Sequence, residues 1–524
     1  MNAIKDSSAK QRQCSGDKCI IAEHICRARQ TRGYPPCKQC DWSSRDTRVD
    51  SLDKTKQGQL TSVLNKIVKA YDIRGSYPQQ VNEDVAWRLG YATGDYLRSQ
   101  VSGYARAEDS TKSMVVGRDM RIGSPQLAAA FIDGVLSSGV NCIDIGMIDS
   151  PQLYFAINHL GSCGGAQITA SHNPAGDNGF KIAGQHARPI GGETGLDRIK
   201  ALALAARKGT LRNRVRGKLS RRHLTAAYKK HVLKFAGQLL PLKVVVDASN
   251  GMAGKFVPRL FDDLPIKITP LNFKHDGRFA HPPNPLVLEN LAQLKKTVLR
   301  RKAHLGVCFD GDADRCIFVD EKGQPVQPDL VTAVLAKDFL AAEPGVTIVY
   351  DLRSSHVVPE TIVKLDGMPR RERVGHAFMK HAMTDSGAVF GGELSGHYYY
   401  RDNWFCDSGF ITFVVVLTAL SKAGLPMSKL IKTVRKYCHS GEINFEVDDK
   451  RVVIEKLLSR YRKTPKARID MRDGVTVELD KYWFNVRPSN TEPKLRLNLE
   501  ANTKALMQRT VRELSKLINP AAKT

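Results

Sequence analysis

Three times along the chain an apolar run ends in aspartate, passes a small polar loop and enters an amphipathic stretch. The first is Met114-Val115-Val116-Gly117-Arg118-Asp119, followed by a helical pattern from Ser124. The second is Val244-Val245-Val246-Asp247-Ala248-Ser249-Asn250-Gly251, followed by residues 253–264. The third is Ile348-Val349-Tyr350-Asp351, a loop, then residues 359–365. An apolar run that feeds a helix predicts a buried, mostly parallel strand. In the first unit Ser124 is expected to cap the helix and Pro125 to take its first position. Leu127, Phe131 and Val135, with Ala128, Ile132 and Leu136, make one apolar face, and Gly139 ends it. The last residues read differently. Residues 474–479 and 495–500 alternate like half-buried strands, and residues 504–518 read as a helix with apolar Leu506, Met507, Val511, Leu514 and Leu517. The fold class is therefore α/β: three tandem similar domains with mixed sheets, then an α+β domain. The expected divisions are an extension over 1–62 and domains over 63–217, 218–324, 325–437 and 438–524.

Composition fits a multidomain globular chain: 524 residues, of which 42% are hydrophobic. The longest apolar run, residues 411–420, is closed by Ser421-Lys422 and falls short of the ~18–20 residues of a membrane span, so it reads as a buried helix. The first ten residues lack the apolar core of a secretory signal, which points to the cytoplasm. Charge is lopsided: 80 Lys and Arg against 53 Asp and Glu, net +27. Residues 201–235 hold eleven Lys and Arg and no Asp or Glu. Such a field draws anions; the plain reading is a solvated basic face, the alternative a weak nucleic-acid surface. Of eleven cysteines, Cys142, Cys308 and Cys316 lie in apolar runs and read as reduced core residues. Five crowd into the polar first 40 residues, where Cys14, Cys19, Cys37 and Cys40, with His24 and Cys26 between, approach a four-cysteine Zn2+ spacing. That segment reads as either a zinc site or a disordered tail.

Four short segments carry the chemistry. Ser171, in Thr169-Ala170-Ser171-His172-Asn173-Pro174, follows an apolar run and is expected on a loop past a strand end, where open α/β sheets bind ligands. A bare serine needs activation or a nearby metal to act as nucleophile. His172 beside it is placed to orient phosphate. Asp310, Asp312 and Asp314 alternate, so in extended chain they share one face and call for a hard cation such as Mg2+. The segment fits a calcium loop poorly: Glu321 stands at its twelfth position, but Arg315 stands where the sixth-position glycine belongs, and residues 316–319 read as strand. In Gly391-Gly392-Glu393-Leu394-Ser395-Gly396-His397, Glu393 and Ser395 can read vicinal hydroxyls and His397 can trade a proton. Arg487-Pro488-Ser489-Asn490-Thr491 offers a guanidinium fork, hydroxyls and an amide for phosphate.

In this order the four segments resemble the α-D-phosphohexomutase superfamily, phosphomannomutase/phosphoglucomutase branch, from about residue 65 onward. The resemblance implies four domains around a central cleft, each lending one segment. It implies a phosphoserine at Ser171 and one Mg2+ on Asp310, Asp312, Asp314 and a phosphoserine oxygen. Arg74, in Tyr71-Asp72-Ile73-Arg74-Gly75, would be a catalytic cation, with Tyr71 at the substrate. Lys181 and His397 resemble the acid/base candidates. Glu393 and Ser395 would grip the sugar, Gly375-His376 would read its orientation, and Arg315 and Arg118 would lie near the cleft. Arg487, Ser489, Asn490 and Thr491 would hold the non-reacting phosphate. Leu394 and the segments 398–402 and 406–409 resemble the mannose/glucose branch. The implied activity interconverts hexose 1-phosphate and hexose 6-phosphate through hexose 1,6-bisphosphate, with domain closure. A phosphoglucosamine mutase, a dedicated phosphoglucomutase and a phosphatase are the enzyme alternatives; a nucleic-acid-binding protein on a degenerate scaffold is the other. The implied partner is a sugar phosphate, without membrane or nucleic acid, in a monomer or dimer.

Overall fold

The apolar runs form the inner strands of three separate sheets, and the alternating C-terminal segments form a fourth. The computed structural model describes residues 57–103, 108–208, 215–489 and 494–519, and the backbone of Gln11–Gln13 and Ile20–Ala22. Contacts divide the chain into residues 1–66 and 67–524. In the first unit Gln11–Gln13 pairs antiparallel with Ile20–Ala22, and a helix begins at residue 57. The cysteines of the zinc reading lie outside the described residues.

The first sheet of the main unit holds β1 (Ile73–Ser76), β2 (Ser113–Arg118), β3 (Asn141–Met147), β4 (Gly164–Ile168), β5 (Asp177–Gly184) and β6 (Leu219–Arg221) in the order β1-β5-β4-β2-β3-β6. Its helices are α1 (Glu83–Gln100), α2 (Ser124–Ser137), α3 (Ser150–His159) and α4 (Asp197–Ala205). The predicted face of α2 is buried, and Gly139 follows it at φ 86°. Ser124 is not the cap: Gly123 is, and Ser124 Oγ donates instead to Asp119 Oδ1 at 2.6 Å.

The second sheet, β8-β7-β9-β10, comprises β7 (Leu242–Asp247), β8 (Ile266–Leu271), β9 (Leu305–Phe309) and β10 (Cys316–Asp320), with α5 (Thr225–Leu233), α6 (Ala253–Leu260) and α7 (Ala292–Arg301). Helix α6 stops at Leu260, earlier than the pattern predicts, and carries Pro258 in its last turn.

The third sheet, β12-β11-β13-β14-β15, is built from β11 (Thr347–Asp351), β12 (Met368–Glu372), β13 (Phe390–Gly392), β14 (Tyr398–Tyr400) and β15 (Cys406–Asp407). With it go α8 (Pro328–Ala342), α9 (Val357–Lys364), α10 (His376–Ser386), α11 (Gly409–Ala423) and α12 (Met427–Lys432). Helix α11 contains the long apolar run and is buried along most of its length. No helix among the described residues is long and apolar enough to cross a membrane.

The fourth sheet is wholly antiparallel, β16-β20-β19-β18-β17, from β16 (Cys438–Glu446), β17 (Arg468–Asp470), β18 (Val475–Glu478), β19 (Tyr482–Pro488) and β20 (Lys494–Ala501). Helices α13 (Lys450–Tyr461) and α14 (Lys504–Ile518) accompany it.

Two regularities position the site. The strand-end aspartates each accept the backbone N–H two residues on: Asp119 from Arg121, Asp247 from Ser249 and Asp351 from Arg353, at 2.7–2.9 Å. This local turn sets the same exit from three equivalent strands. Second, each chemical segment links neighbouring antiparallel strands. Ile168 pairs with Phe180, Phe309 with Cys316, Gly392 with Tyr398 and Pro488 with Leu495.

One apolar cluster runs through the first three domains, from Val115 and Leu153 through Phe309 and Phe410 to Phe390. The fourth domain has its own, including Phe445, Leu457, Phe484, Leu497 and Leu514. Helices α1 and α2 cross where glycine lets backbones touch. A Cβ on Gly134 would lie 2.0 Å from the carbonyl oxygen of Trp87, and one on Gly90 2.0 Å from that of Phe131. Gly134→Ala should therefore cost at least the ~1–3 kcal/mol of an overpacked core. A denaturant midpoint unchanged from wild type would contradict that contact.

Candidate active site

The serine loop is built around a buried arginine. Ser171 adopts φ 50° and its N–H donates to Thr169 Oγ1 at 2.9 Å. Arg121, 1% exposed, donates to the carbonyl oxygens of Ser171, Asn173, Pro174 and Asp177 at 2.6–2.9 Å. Its Nε lies 3.2 Å from Asp119 Oδ2, and its guanidinium sits 4.7 Å over the Phe279 ring of the second domain. Arg74 donates to Asp72, to the Ala170 carbonyl and to Asn173 Oδ1. The loop is thus held from beneath by two guanidinium groups, which leaves the serine oxygen to face the second domain.

That oxygen meets the acidic turn. Ser171 Oγ donates to Asp310 Oδ2 at 2.8 Å and lies 3.3 Å from His172 Nδ1. Asp310, Asp312 and Asp314 converge, with ligand oxygens within 4.8 Å of one another. They do so by a route the alternation did not predict. The segment is a turn, not extended chain: Ala313 takes φ 57°, and its N–H donates to the Asp310 carbonyl at 3.3 Å. A tight turn gathers the three carboxylates where the pleat would have spread them along a strand.

The triad is nearly dry, at 0%, 0% and 2% exposure for Asp310, Asp312 and Asp314. Lys181 on β5 bridges it, donating to Asp312 Oδ2 at 2.6 Å and to Asp314 Oδ2. Burial opposes the lysine's charge, but Asp312 and Asp314 outweigh it and raise its proton affinity above normal. Burial, with the charges of Asp314 and Asp312, pushes the Asp310 carboxyl well above the usual range. Asp312 Oδ1 is buried without a hydrogen-bond partner, and Asp314 Oδ1 has His397 Nε2 at 3.3 Å. Three convergent buried carboxylates with an oxygen unused on Asp312 fit a divalent cation ligated by oxygen.

The sugar-reader loop closes the other side. His397 Nε2 lies 3.3 Å from Asp314 Oδ1 and 3.2 Å from Arg315 Nε, while its Nδ1 lies 2.9 Å from Ser395 Oγ and 3.2 Å from Glu393 Oε2. Burial disfavours the imidazolium, but Asp314 and Glu393 overcome this and push His397 up to about 9. Glu393 receives Tyr399 OH at 2.7 Å and the N–H of Gly375 at 2.9 Å. Despite burial, His397 and Arg353 hold its carboxyl below the normal range. Gly375 stands at φ 135°, in glycine's territory, and starts α10 so that His376 packs edge-on to Tyr71 at 4.8 Å. His172 is held well below its ordinary value by burial, then by Arg315 and Arg74.

Thus Ser171, His172, Arg74, Lys181, the three aspartates, Arg315, Glu393, Ser395, His397, Gly375, His376 and Tyr71 form one linked network. Arg487 is 3% exposed and reaches it indirectly: its Nη2 lies 3.3 Å from Glu442, which lies 3.6 Å from Arg353. Ser489 opens the hairpin loop after β19; Asn490 and Thr491 lie outside the described residues. Arg118 donates to the Asp119 carbonyl at 3.3 Å. Arg121 and Arg353 were missed by sequence reasoning. Their shared position, two residues after a strand-end aspartate, was the available signal.

Three α/β domains that turn hairpin loops toward one charged centre, with a fourth domain beside them, define a multidomain sugar-phosphate phosphotransferase. Models of phosphoglucomutase/phosphomannomutase α/β/α domains I, II and III match residues 65–209, 222–323 and 327–437, and the C-terminal domain matches 442–517. The chain belongs to this family, and it is a phosphohexomutase. A phosphomannomutase of Vibrio cholerae is 37% identical over 461 residues, covering 86% of this chain and 97% of its own. A phosphomannomutase of Escherichia coli K12 is 36% identical over 86% of this chain and 98% of its own. The crystal structure of a phosphoglucomutase/phosphomannomutase family protein from Burkholderia thailandensis aligns with TM-score 0.78 at 30% identity, over 87% of this chain and 98% of that one.

Breaking the buried Arg121–Asp119 pair would strand a carboxylate and four carbonyls, so Arg121→Met should cost about 3–5 kcal/mol. Arg121→Lys keeps the charge but cannot span the loop, and should lose turnover more than stability. Equal turnover for Arg121→Lys and wild type would remove the loop-shaping role.

Proposed function

We propose that Ser171 carries the phosphoryl group and passes it between the two ends of a hexose phosphate, mannose or glucose. The observation that supports this most is Ser171 Oγ resting 2.8 Å from Asp310 inside a buried carboxylate triad. The resting phosphoserine donates to the free hydroxyl of a hexose 1- or 6-phosphate. The Oγ–phosphorus bond breaks as the bond to the sugar oxygen forms, giving the 1,6-bisphosphate. The sugar hydroxyl loses its proton as Ser171 Oγ gains one, with Lys181 and His397 the candidates to relay it, so none is released. The bisphosphate reorients in the cleft and returns its other phosphoryl group to Ser171.

The chain's residues divide this work. Lys181, as an ammonium, and Arg74 balance the charge moving between oxygens, which is most of what phosphoryl transfer requires. His172, neutral, orients the phosphoryl group. Glu393 and Ser395 grip vicinal hydroxyls, with Gly375, His376 and Tyr71 fixing the ring. Arg315 and the Arg487-Pro488-Ser489-Asn490-Thr491 segment hold the other phosphate. Asp310, Asp312 and Asp314 would hold Mg2+, which when bound supplies charge neutralisation at the phosphoryl oxygens. Water must be excluded, since hydrolysis of phosphoserine would idle the enzyme. The fourth domain, with Arg487, is the element proposed to close.

Ser171→Ala should abolish turnover while leaving the fold intact, and mass spectrometry of wild type treated with hexose 1,6-bisphosphate should find phosphate on Ser171. Normal turnover in the variant, or an unmodified serine in active enzyme, would end this reading. Parallel assays with mannose 1-phosphate and glucose 1-phosphate should both give 6-phosphate. Failure of either would narrow the substrate to one sugar.

A further inference from the structure

The acidic turn belongs to the second domain, yet one of its aspartates is gripped by the first. Ser150, the first residue of α3, donates its Oγ to Asp312 Oδ2 at 2.6 Å, and its backbone N–H donates to the Asp312 carbonyl at 3.1 Å. Both residues are fully buried, at 0% exposure. Asp312 Oδ2 also receives Lys181, so that oxygen is occupied, whereas Oδ1 is buried and unpartnered. The carboxylate is therefore held through one oxygen, and its other oxygen is left free to take a ligand.

Ser150 is itself held firmly. The N–H of Ile148 donates to the Arg118 carbonyl at 2.8 Å, and the Ile148 carbonyl accepts from Gln167 Nε2 at 2.7 Å. Asp149 caps α3 through the N–H of Gln152 and accepts Tyr228 OH from α5, each at 2.9 Å. A hydroxyl pinned between two domains and aimed at one oxygen of a carboxylate is how an outer-sphere partner orients a metal ligand.

We propose that Ser150 is a positioning residue for the metal centre, setting Asp312 from across the domain boundary so that only Oδ1 ligates. This rests on the reading of Asp310, Asp312 and Asp314 as the metal cage. Because Ser150 touches neither substrate nor the reacting atoms, its loss should weaken metal binding while leaving phosphoryl transfer near wild type once metal is saturating.

The test is Mn2+ titration of the full chain by electron paramagnetic resonance, with thermal midpoints recorded alongside. Ser150→Ala should bind Mn2+ 10–100-fold more weakly, the usual range for loss of an outer-sphere partner. Ser150→Thr, which keeps the hydroxyl, should restore affinity. Ser150→Cys, close in volume but a poor donor, should behave like Ser150→Ala and serves if the alanine variant does not fold. In assays the Mg2+ concentration for half-maximal activity should rise for Ser150→Ala while kcat at saturating Mg2+ stays within about threefold. Wild-type affinity in Ser150→Ala and Ser150→Cys, with binding lost in Asp312→Asn, would overturn the proposal and leave the cage standing. Unchanged binding in Asp312→Asn as well would overturn the cage reading and this proposal with it.

Discussion

Three carboxylates share one dry turn, and the rest of the molecule is arranged around making that tolerable. At an effective dielectric of about 20, two unit charges 4 Å apart interact by about 4 kcal/mol, so an unbalanced cluster would either bind protons or open to water. Lys181 comes from β5 of the first domain and touches two of the three. His397 comes from the β13–β14 loop of the third and lies against Asp314. Arg315 closes the turn and reaches toward Asp310, 4.0 Å away. Compensation from two other domains means that charge balance, as well as apolar packing, sets how the first three domains assemble. Crowding still shows in the raised Asp310 carboxyl and the unpartnered Asp312 Oδ1, and a divalent cation would relieve both.

The three α/β domains solve the delivery problem the same way. A parallel strand ends in aspartate, the aspartate turns the chain, and an antiparallel hairpin nearby presents the chemical loop. Where residue i+2 is arginine, the same turn sends a cation to the site: Arg121 into the serine loop, Arg353 toward Glu393 and Glu442. In the second domain the equivalent residue is Ser249, which contacts Cys308 Sγ at 3.2 Å and leaves room for the acidic turn. One repeated backbone device thus yields three different chemistries by changing one side chain and one loop.

What the sequence made legible follows from what is local. Strand β2, helix α2 and helix α14 were readable because burial imposes a period on neighbouring residues. Ser171 and the aspartates were readable because their chemistry is rare in such spacing. The geometry of the triad was misread, since alternation assumes extended chain and Ala313 in a left-handed turn breaks that assumption. Arg121 and Ser150 escaped notice for a different reason: their partners lie about 50 and 162 positions away, and four of Arg121's are backbone carbonyls that carry no side-chain signature. Hairpin placement of the first three segments escaped too, because antiparallel return is a property of the partner strand.

The division of the apolar cores separates the fourth domain mechanically from the others. The first three share one continuous cluster, so moving them apart would expose apolar surface and unpair Lys181 from the acidic turn. Contacts between the third domain and the fourth include polar ones: the His356 N–H donates to Glu500 Oε1 at 3.0 Å, His356 stacks on buried Trp483 at 5.6 Å, and Glu442 sits among Arg353, Arg487 and Arg496 at 3.2–3.6 Å. Arg353 and Arg487 are buried while Glu442 and Arg496 are partly exposed, so the loss of Glu442 would leave two buried guanidinium groups short of a partner. Glu442 holds Arg487 with a carboxylate, so any anion beside Arg487 would compete with it for the guanidinium. Glu442 and Arg487 both belong to the fourth domain, and Glu442 also reaches Arg353 of the third, so a change at Arg487 would bear on the boundary through that one carboxylate.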